Sequence, residues 1–363
     1  MFLLASLQLE RIQHCLSVAN LRTALQDLPS GVHDMYESAM SRIKCQPNGD
    51  LAKPILVWVA YAHPQASLLI EDLRCALATC IHTCEFNSDQ LVDKEILISL
   101  CCGLVTLNEI GYVHLIHYTA YDYLRSRIAS FCEDPHTEIA STCAGRLLQC
   151  GFHNMDSRSV SAKFIANPLL RYSHKYLGWH LRHCKSTPPI VISFVQRCKS
   201  YPLQEHSWGL RWDYLSSFHV AALFNIPFIL ESLIAQDTSQ ATRRTGLGTT
   251  PLMVAARYGH VDAVNILLNL QCVRDTINAT DVNKRTALMK AGYRDHINVV
   301  YELLKVPGVD VTLEDDLGVT ALMDAICFDQ IDVCGSWHRQ FKGLLALRSM
   351  GRHRNKRTAC ATL

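Results

Sequence analysis

The chain has 363 residues, 49% hydrophobic and 19% charged, which is enough apolar material for more than one packed core and excludes a largely disordered protein. A formal net charge of +2 excludes a global field that would drive binding to nucleic acid or to an anionic membrane. Sixteen cysteines without one C-x-x-C pair make no disulfide framework, so the composition points to a reducing, cytoplasmic setting.

The opening MFLLASLQLERIQ lacks a basic start and an A-x-A cleavage pattern, so it reads as part of a helix and not as a signal peptide. Apolar positions from Leu3 to Leu25 predict helix over 2–27, stopped by Pro29 and Gly31. A second helix is expected within Leu28 to Ile43, with Val32, Met35, Tyr36, Ala39 and Ile43 inward. Pro54 opens a third, PILVWVAYAHP, and a fourth runs from Ser67 to Thr79. Glu95 begins another helix, which Gly103 interrupts. The runs LVTL and YVHLIHY are then short and β-rich around a turn at Asn108 to Gly111. A helix followed by a hairpin is the end of a winged-helix unit, and a further helix carries Tyr121, Tyr123 and Leu124. No apolar stretch approaches the ~20 residues of a membrane span, so no membrane contact is expected.

Two groups in this half invite chemistry. Cys80, His82 and Cys84 in CIHTC are spaced like half a zinc site, but no partner pair stands at finger spacing, so no metal is expected. His114 and His117 are three apart and fall on opposite faces of a strand. The chain holds no G-x-S-x-G, no H-E-x-x-H and no G-x-x-x-x-G-K-[ST]. No catalytic residue, cofactor or small-molecule substrate is therefore expected.

Helices continue at His136 to Leu148 and Asn167 to His183. Ser186 to Glu205 reads as a connector containing the helix VISFVQRC. SWGLRWDYL follows, and its Trp208 and Trp212 are expected to cover the open apolar end of the next element.

That element is repetitive. Thr250 to Leu268, TPLMVAARYGHVDAVNILL, reads as helix, turn and helix: Thr250 caps, Pro251 suits the first turn, and Gly259 permits a left-handed turn. Partial copies begin at Ser216, Thr286 and Thr320, so the starts are 34, 36 and 34 residues apart. Gly248 and Gly318 stand two residues before their starts, whereas Lys284 holds the matching place before Thr286. The pattern resembles the ankyrin repeat, with its T-P-L-H-x-A signature and a period of about 33 residues. Met253 stands where that family has His, while His219 keeps it. By resemblance His219, His260 and His296 are structural, linking neighbouring turns.

A second resemblance covers residues 3–334. The order LLASLQLERI, LRTALQDLPSG, ILVWV, EDLRCAL, CCGLV and VHLIHYTAYDYL, with the helices at His136 and Asn167 and the repeats after them, resembles fungal STAND or NLR-like proteins. In those, a winged helix follows a NACHT nucleotide-binding module. The phosphate-binding loop of that module does not occur here, so nucleotide hydrolysis is not carried over, and a fragment or truncated product is expected. Seven Lys/Arg and no acid lie in Val333 to Leu363; the remainder holds 28 basic against 33 acidic residues.

The expected fold is mainly α: a winged-helix and helical domain with a small β-hairpin, then a short ankyrin-repeat α-solenoid. The expected divisions are a linker remnant at 1–27, a winged-helix-like domain at 28–130, a helical connector at 131–206, repeats at 207–334 and a basic tail at 335–363. The expected function is a non-enzymatic protein-interaction scaffold or sensor in fungal intracellular signalling. Candidate contacts on first helices are Val254, Arg257, Tyr258, Lys290, Tyr293, Arg294 and Asp324. At the turn tips they are Asp281, Asn283, Lys284, Arg285, Asp315 and Asp316. They carry both signs, which points to a protein partner. Two alternatives are a piece of a nucleotide-dependent switch and a nucleic-acid binder through winged helix and tail. Against the second, the candidate recognition helix from Glu95 to Cys102 is apolar and poor in Lys and Arg.

Overall fold

In the computed structural model, which describes residues 17–26, 31–80, 83–155, 160–205 and 211–327, the apolar runs of the sequence become short packed helices. They fall into two units. The described residues of the first lie within Met1–Gly151 and Arg158–Phe194, and those of the second within Phe152–Ser157 and Val195–Leu363.

The first unit contains α1 (Val18–Gln26), α2 (Val32–Cys45), α3 (Ala52–Tyr61), α4 (Ile70–Leu77), α5 (Lys94–Leu100), β1 (Val105–Leu107), β2 (Val113–Leu115), α6 (Thr119–Ile128), α7 (Pro135–Gln149), α8 (Val160–Ala166) and α9 (Leu170–Leu181); α10 (Pro189–Arg197) carries the chain into the second. Its core is α3, whose Ile55, Leu56, Val57, Trp58, Val59 and Ala60 are all buried. Met35, Tyr36, Ala39 and Ile43 of α2 point inward as expected, but Val32 is 37% exposed. It sits in the first turn, just after the extended Gly31, before α2 reaches its neighbours. The Tyr36 hydroxyl and Thr119 Oγ1, 2.8 Å apart, tie α2 to α6.

The hairpin forms with Val105 opposite Leu115 and Thr106 opposite His114. It gains an edge the sequence reading gave to a helix. Ile70 donates its N–H to the Gly111 carbonyl and Val113 donates to that of Leu68, both at 2.9 Å. Helix α4 therefore begins only at Ile70, and Asp72 caps it by accepting the Leu69 N–H. His114 is exposed on β2, while His117 lies beyond the strand and meets Thr119 Oγ1 at 2.9 Å.

Helices α7 and α9 pack along small buried side chains such as Ala140, Cys143 and Ala144. A chain of hydrogen bonds crosses them. The His63 N–H donates to the Tyr172 hydroxyl, which lies 2.8 Å from Nε2 of the fully buried His180. His180 Nδ1 lies 3.0 Å from His136 Nδ1. Every group is satisfied if Tyr172 donates to His180 and His180 donates to His136. Burial, with the neighbouring His183, holds the His136 imidazole down to about 4, and burial pushes His180 well below its ordinary range.

The second unit opens with β3 (Tyr201–Glu205) and β4 (Arg211–Leu215), paired antiparallel with Gln204 opposite Trp212. The helix expected within residues 186–205 is present in α10, but Tyr201–Glu205 of that connector form a strand the sequence did not suggest. Pro202 hides β3 in the sequence, because proline lacks the N–H of a ladder and fits only an edge position. Then come α11 (Ser217–Phe224), α12 (Pro227–Gln236), α13 (Pro251–Tyr258), α14 (Val261–Leu268), α15 (Gln271–Asp275), α16 (Ala287–Tyr293), α17 (Ile297–Leu304) and α18 (Ala321–Cys327). Helices α11, α13, α16 and α18 stack side by side, and α12, α14 and α17 form the second row. The hairpin covers the first repeat. Tyr201, 1% exposed, meets Phe224 edge to face, and Asp213 accepts a 2.7 Å bond from Thr245 Oγ1. His82, Trp208 and the basic segment 333–363 lie outside the described residues. Among the described residues no helix is long and apolar enough to cross a membrane.

Candidate protein-interaction surface

The surface is built from the turns before each first helix and from the C-terminal ends of those helices. The turns share one design. The residue five before the helix cap, Thr245, Asp281 or Asp315, donates its N–H to the carbonyl four residues on and accepts an N–H from that same residue on its side chain. The residue two before the cap is left-handed: Gly248 at φ 76°, Lys284 at 57° and Gly318 at 71°. Lys284 therefore adopts the glycine geometry of its neighbours. Adjacent turns are laced together, since Val282 donates to the Leu247 carbonyl and Asp316 to that of Asn283.

Thr250, Thr286 and Thr320 each accept the N–H three residues on. Histidines then link the repeats. His219 Nε2 donates to the Thr249 carbonyl at 3.0 Å while its Nδ1 meets Ser216 Oγ at 2.8 Å. His260 Nε2 reaches the Leu223 carbonyl at 2.9 Å, and His296 Nε2 reaches that of Arg257 at 3.0 Å. Because carbonyls only accept, all three carry their proton on Nε2. Burial holds His219 down to about 4, so it stays neutral at pH 7. Met253 and Met289 occupy the His219 position in the next repeats and offer only sulfur, 3.5 Å from the Thr250 and Thr286 N–H.

Five of the thirteen candidate contacts are buried, which corrects the expectation for them. Val254 is 1% exposed, Lys290 and Asp281 7%, Asp315 and Asp324 4%. Val254, Lys290 and Asp324 hold the same position in three successive first helices, and that position faces the base of the turns. Lys290 Nζ pairs with Asp281 Oδ2 at 2.6 Å, and both side chains are almost wholly enclosed. Arg285 reaches Asp315 at 3.2 Å and Asp324 at 3.8 Å. Burial, with Asp315 nearby, raises the Asp324 carboxyl to about 6 despite Arg285. These charges are consumed inside the stack, where a buried charge is tolerated only with its counter-ion.

The other eight remain accessible. Tyr258, Lys284, Arg294 and Asp316 are exposed, and Arg257, Asn283, Arg285 and Tyr293 are partly so. They are not scattered. Arg257 and Tyr258 end α13, and Tyr293 and Arg294 stand at the matching two positions of α16. The Arg257 guanidinium lies 5.7 Å from the Tyr258 ring, and Tyr293 is flanked by Arg285 at 5.3 Å and Arg294 at 5.5 Å. Sequence reasoning missed Val282 and Leu317, which are 51% and 56% exposed at the turn tips. An apolar residue inside a polar turn is the signal that marks them.

A family model of ankyrin repeats, in three copies, matches residues 218–315. A family model described as GPI inositol-deacylase, winged helix domain, matches residues 36–133. The chain thus carries a winged-helix domain followed by ankyrin repeats.

Proposed function

We propose that the chain is a non-enzymatic protein-interaction module whose repeats dock a polypeptide partner across the turn tips and first-helix ends. The observation that carries this reading is the pair of Arg–Tyr clusters, Arg257 with Tyr258 and Tyr293 with Arg294, at matching positions of adjacent helices. Tyr and Arg dominate binding hot spots, because each brings a large rigid surface with a polar edge. The laced turns beneath hold these groups in place before a partner arrives, which lowers the ordering cost of binding. The test is affinity capture with wild type, Tyr258→Ala and Tyr293→Ala chains. Each substitution is expected to weaken capture by 1–2 kcal/mol or about tenfold. Unchanged capture by both would overturn the reading.

The order of winged helix and repeats also supports a place in an NLR-like, intracellular signalling protein. In that setting the array senses or restrains, and a nucleotide-binding module belongs to the same product. An in-frame upstream coding segment with G-x-x-x-x-G-K-[ST] is expected; an upstream region without one would contradict this part.

A further inference from the structure

We propose that the docked polypeptide is acidic, and that Lys284 is held in a left-handed turn to meet it. This rests on the docking reading above.

Among the described residues of the second unit, charge is unevenly spread. Once the buried pairs are set aside, the cations on the turn side include the exposed Arg244, Lys284 and Arg294 and the partly exposed Arg257. Asp281 and Asp315, the acids of the same turns, are enclosed and already matched to Lys290 and Arg285. The exposed acids bordering them are Asp295, just beyond the end of α16, and Glu314 and Asp316, both in the turn before Thr320. The second row carries Glu231, Asp262 and Glu302, the last paired with Lys305 at 2.7 Å, and α15 carries Asp275 beside Arg274, which leaves this side net acidic. An acidic segment laid along the turns before Thr250 and Thr286 thus meets cations over two successive repeats, whereas the net acidic second row repels it. Opposed potentials of this kind set partner choice and association rate. The flanking Tyr258 and Tyr293 favour a polypeptide with side chains to pack over a bare phosphate backbone.

Lys284 adds an independent observation. Its position requires φ 57°, and the two neighbouring turns use glycine there at 76° and 71°. A side chain in this region costs stability that glycine does not. The turn is otherwise the same, closed by Lys284 N–H to the Asp281 carbonyl as Gly248 closes on Thr245. Strain kept at an exposed tip marks a side chain that serves something other than folding.

The experiment uses the full chain, a fluorescent Glu-rich peptide, its Gln-substituted equivalent and a DNA duplex. Wild type is expected to bind the Glu peptide more tightly than the Gln peptide, with affinity falling as salt rises. Lys284→Gly is expected to raise the urea midpoint and yet weaken Glu-peptide binding about two- to fivefold. Lys284→Arg is expected to retain binding. Folding failure cannot imitate that result, because the weaker binder is the more stable protein. Equal binding of the two peptides, lost in Tyr258→Ala, leaves the docking reading standing and overturns the acidic partner. Tighter binding of the DNA duplex overturns the polypeptide class. No measurable binding of the Glu peptide, or binding unaffected by Lys284→Gly, overturns the proposal.

Discussion

Replacing Gly259 by alanine tests the geometry that joins the second and third repeats. Gly259 sits at φ 73°, and a Cβ built on it would lie 2.5 Å from Nδ1 of His296. Two costs follow. The left-handed backbone costs a residue with a Cβ about 1–2 kcal/mol. The displaced imidazole then loses its bond to the Arg257 carbonyl, worth about 1 kcal/mol. Gly259→Ala should therefore destabilise the array by about 2–3 kcal/mol. In a chain already carrying His296→Ala the clash has no target, so the same change should cost only the backbone share. The cycle should show a coupling of about 1 kcal/mol. Hydrogen exchange resolves this locally, because the openings of α13, α14, α16 and α17 are read from their own amides. Strictly additive effects, or a Gly259→Ala cost below about 0.5 kcal/mol, would refute the reasoning.

Met253→His should add the bond His219 makes in the first repeat and stabilise the array by ~0.5–1 kcal/mol in urea unfolding; destabilisation would show that the second repeat does not offer the matching carbonyl. Asp324 is raised to about 6 when folded and lies near 3.9 when unfolded, so the folded state binds more protons in between, and its contribution is lost as pH rises through 6. Asp324→Asn should therefore stabilise at pH 7.5 and have no effect near pH 4. The histidine chain has the opposite sign. His136 is held to about 4 and unfolds to about 6.5, so the unfolded state binds more protons and stability falls as pH drops through that window. His136→Gln should flatten that slope in urea midpoints measured against pH.

Much of the fold was legible because local rules carried it. Thr250, Pro251 and Gly259 have one physical meaning each, and the 34–36 residue spacing repeats it. The candidate surface was legible only in part. Lys290, Asp281, Asp315 and Asp324 look like surface residues by type, and nothing local says that they pair across the base of a turn. One sequence signal did exist: Val254 holds the same helix position as Lys290 and Asp324, and an apolar residue there marks an interior column. The β3–β4 hairpin stayed hidden because its pairing is set by cover of the first repeat, through Tyr201 and Asp213, and Pro202 argues against a strand. The Arg257–Tyr258 and Tyr293–Arg294 pairs are neighbours in the sequence and were legible there, whereas the approach of Arg285 to Tyr293 needs the folded turn.

Site-specific photo-cross-linking tests the docking surface most directly. A benzophenone side chain replaces Tyr258 or Tyr293 on the first-helix row, Phe228 on the second row, or Ile165 in the first unit, in cells that express the chain. All four positions are at least partly exposed, Phe228 at 46% and Ile165 at 82%, so access alone does not favour the first two. Positions 258 and 293 are expected to give an adduct with one common acidic polypeptide, while 228 and 165 give none. Adducts from 228 or 165 with silence at both tyrosines would contradict the docking surface.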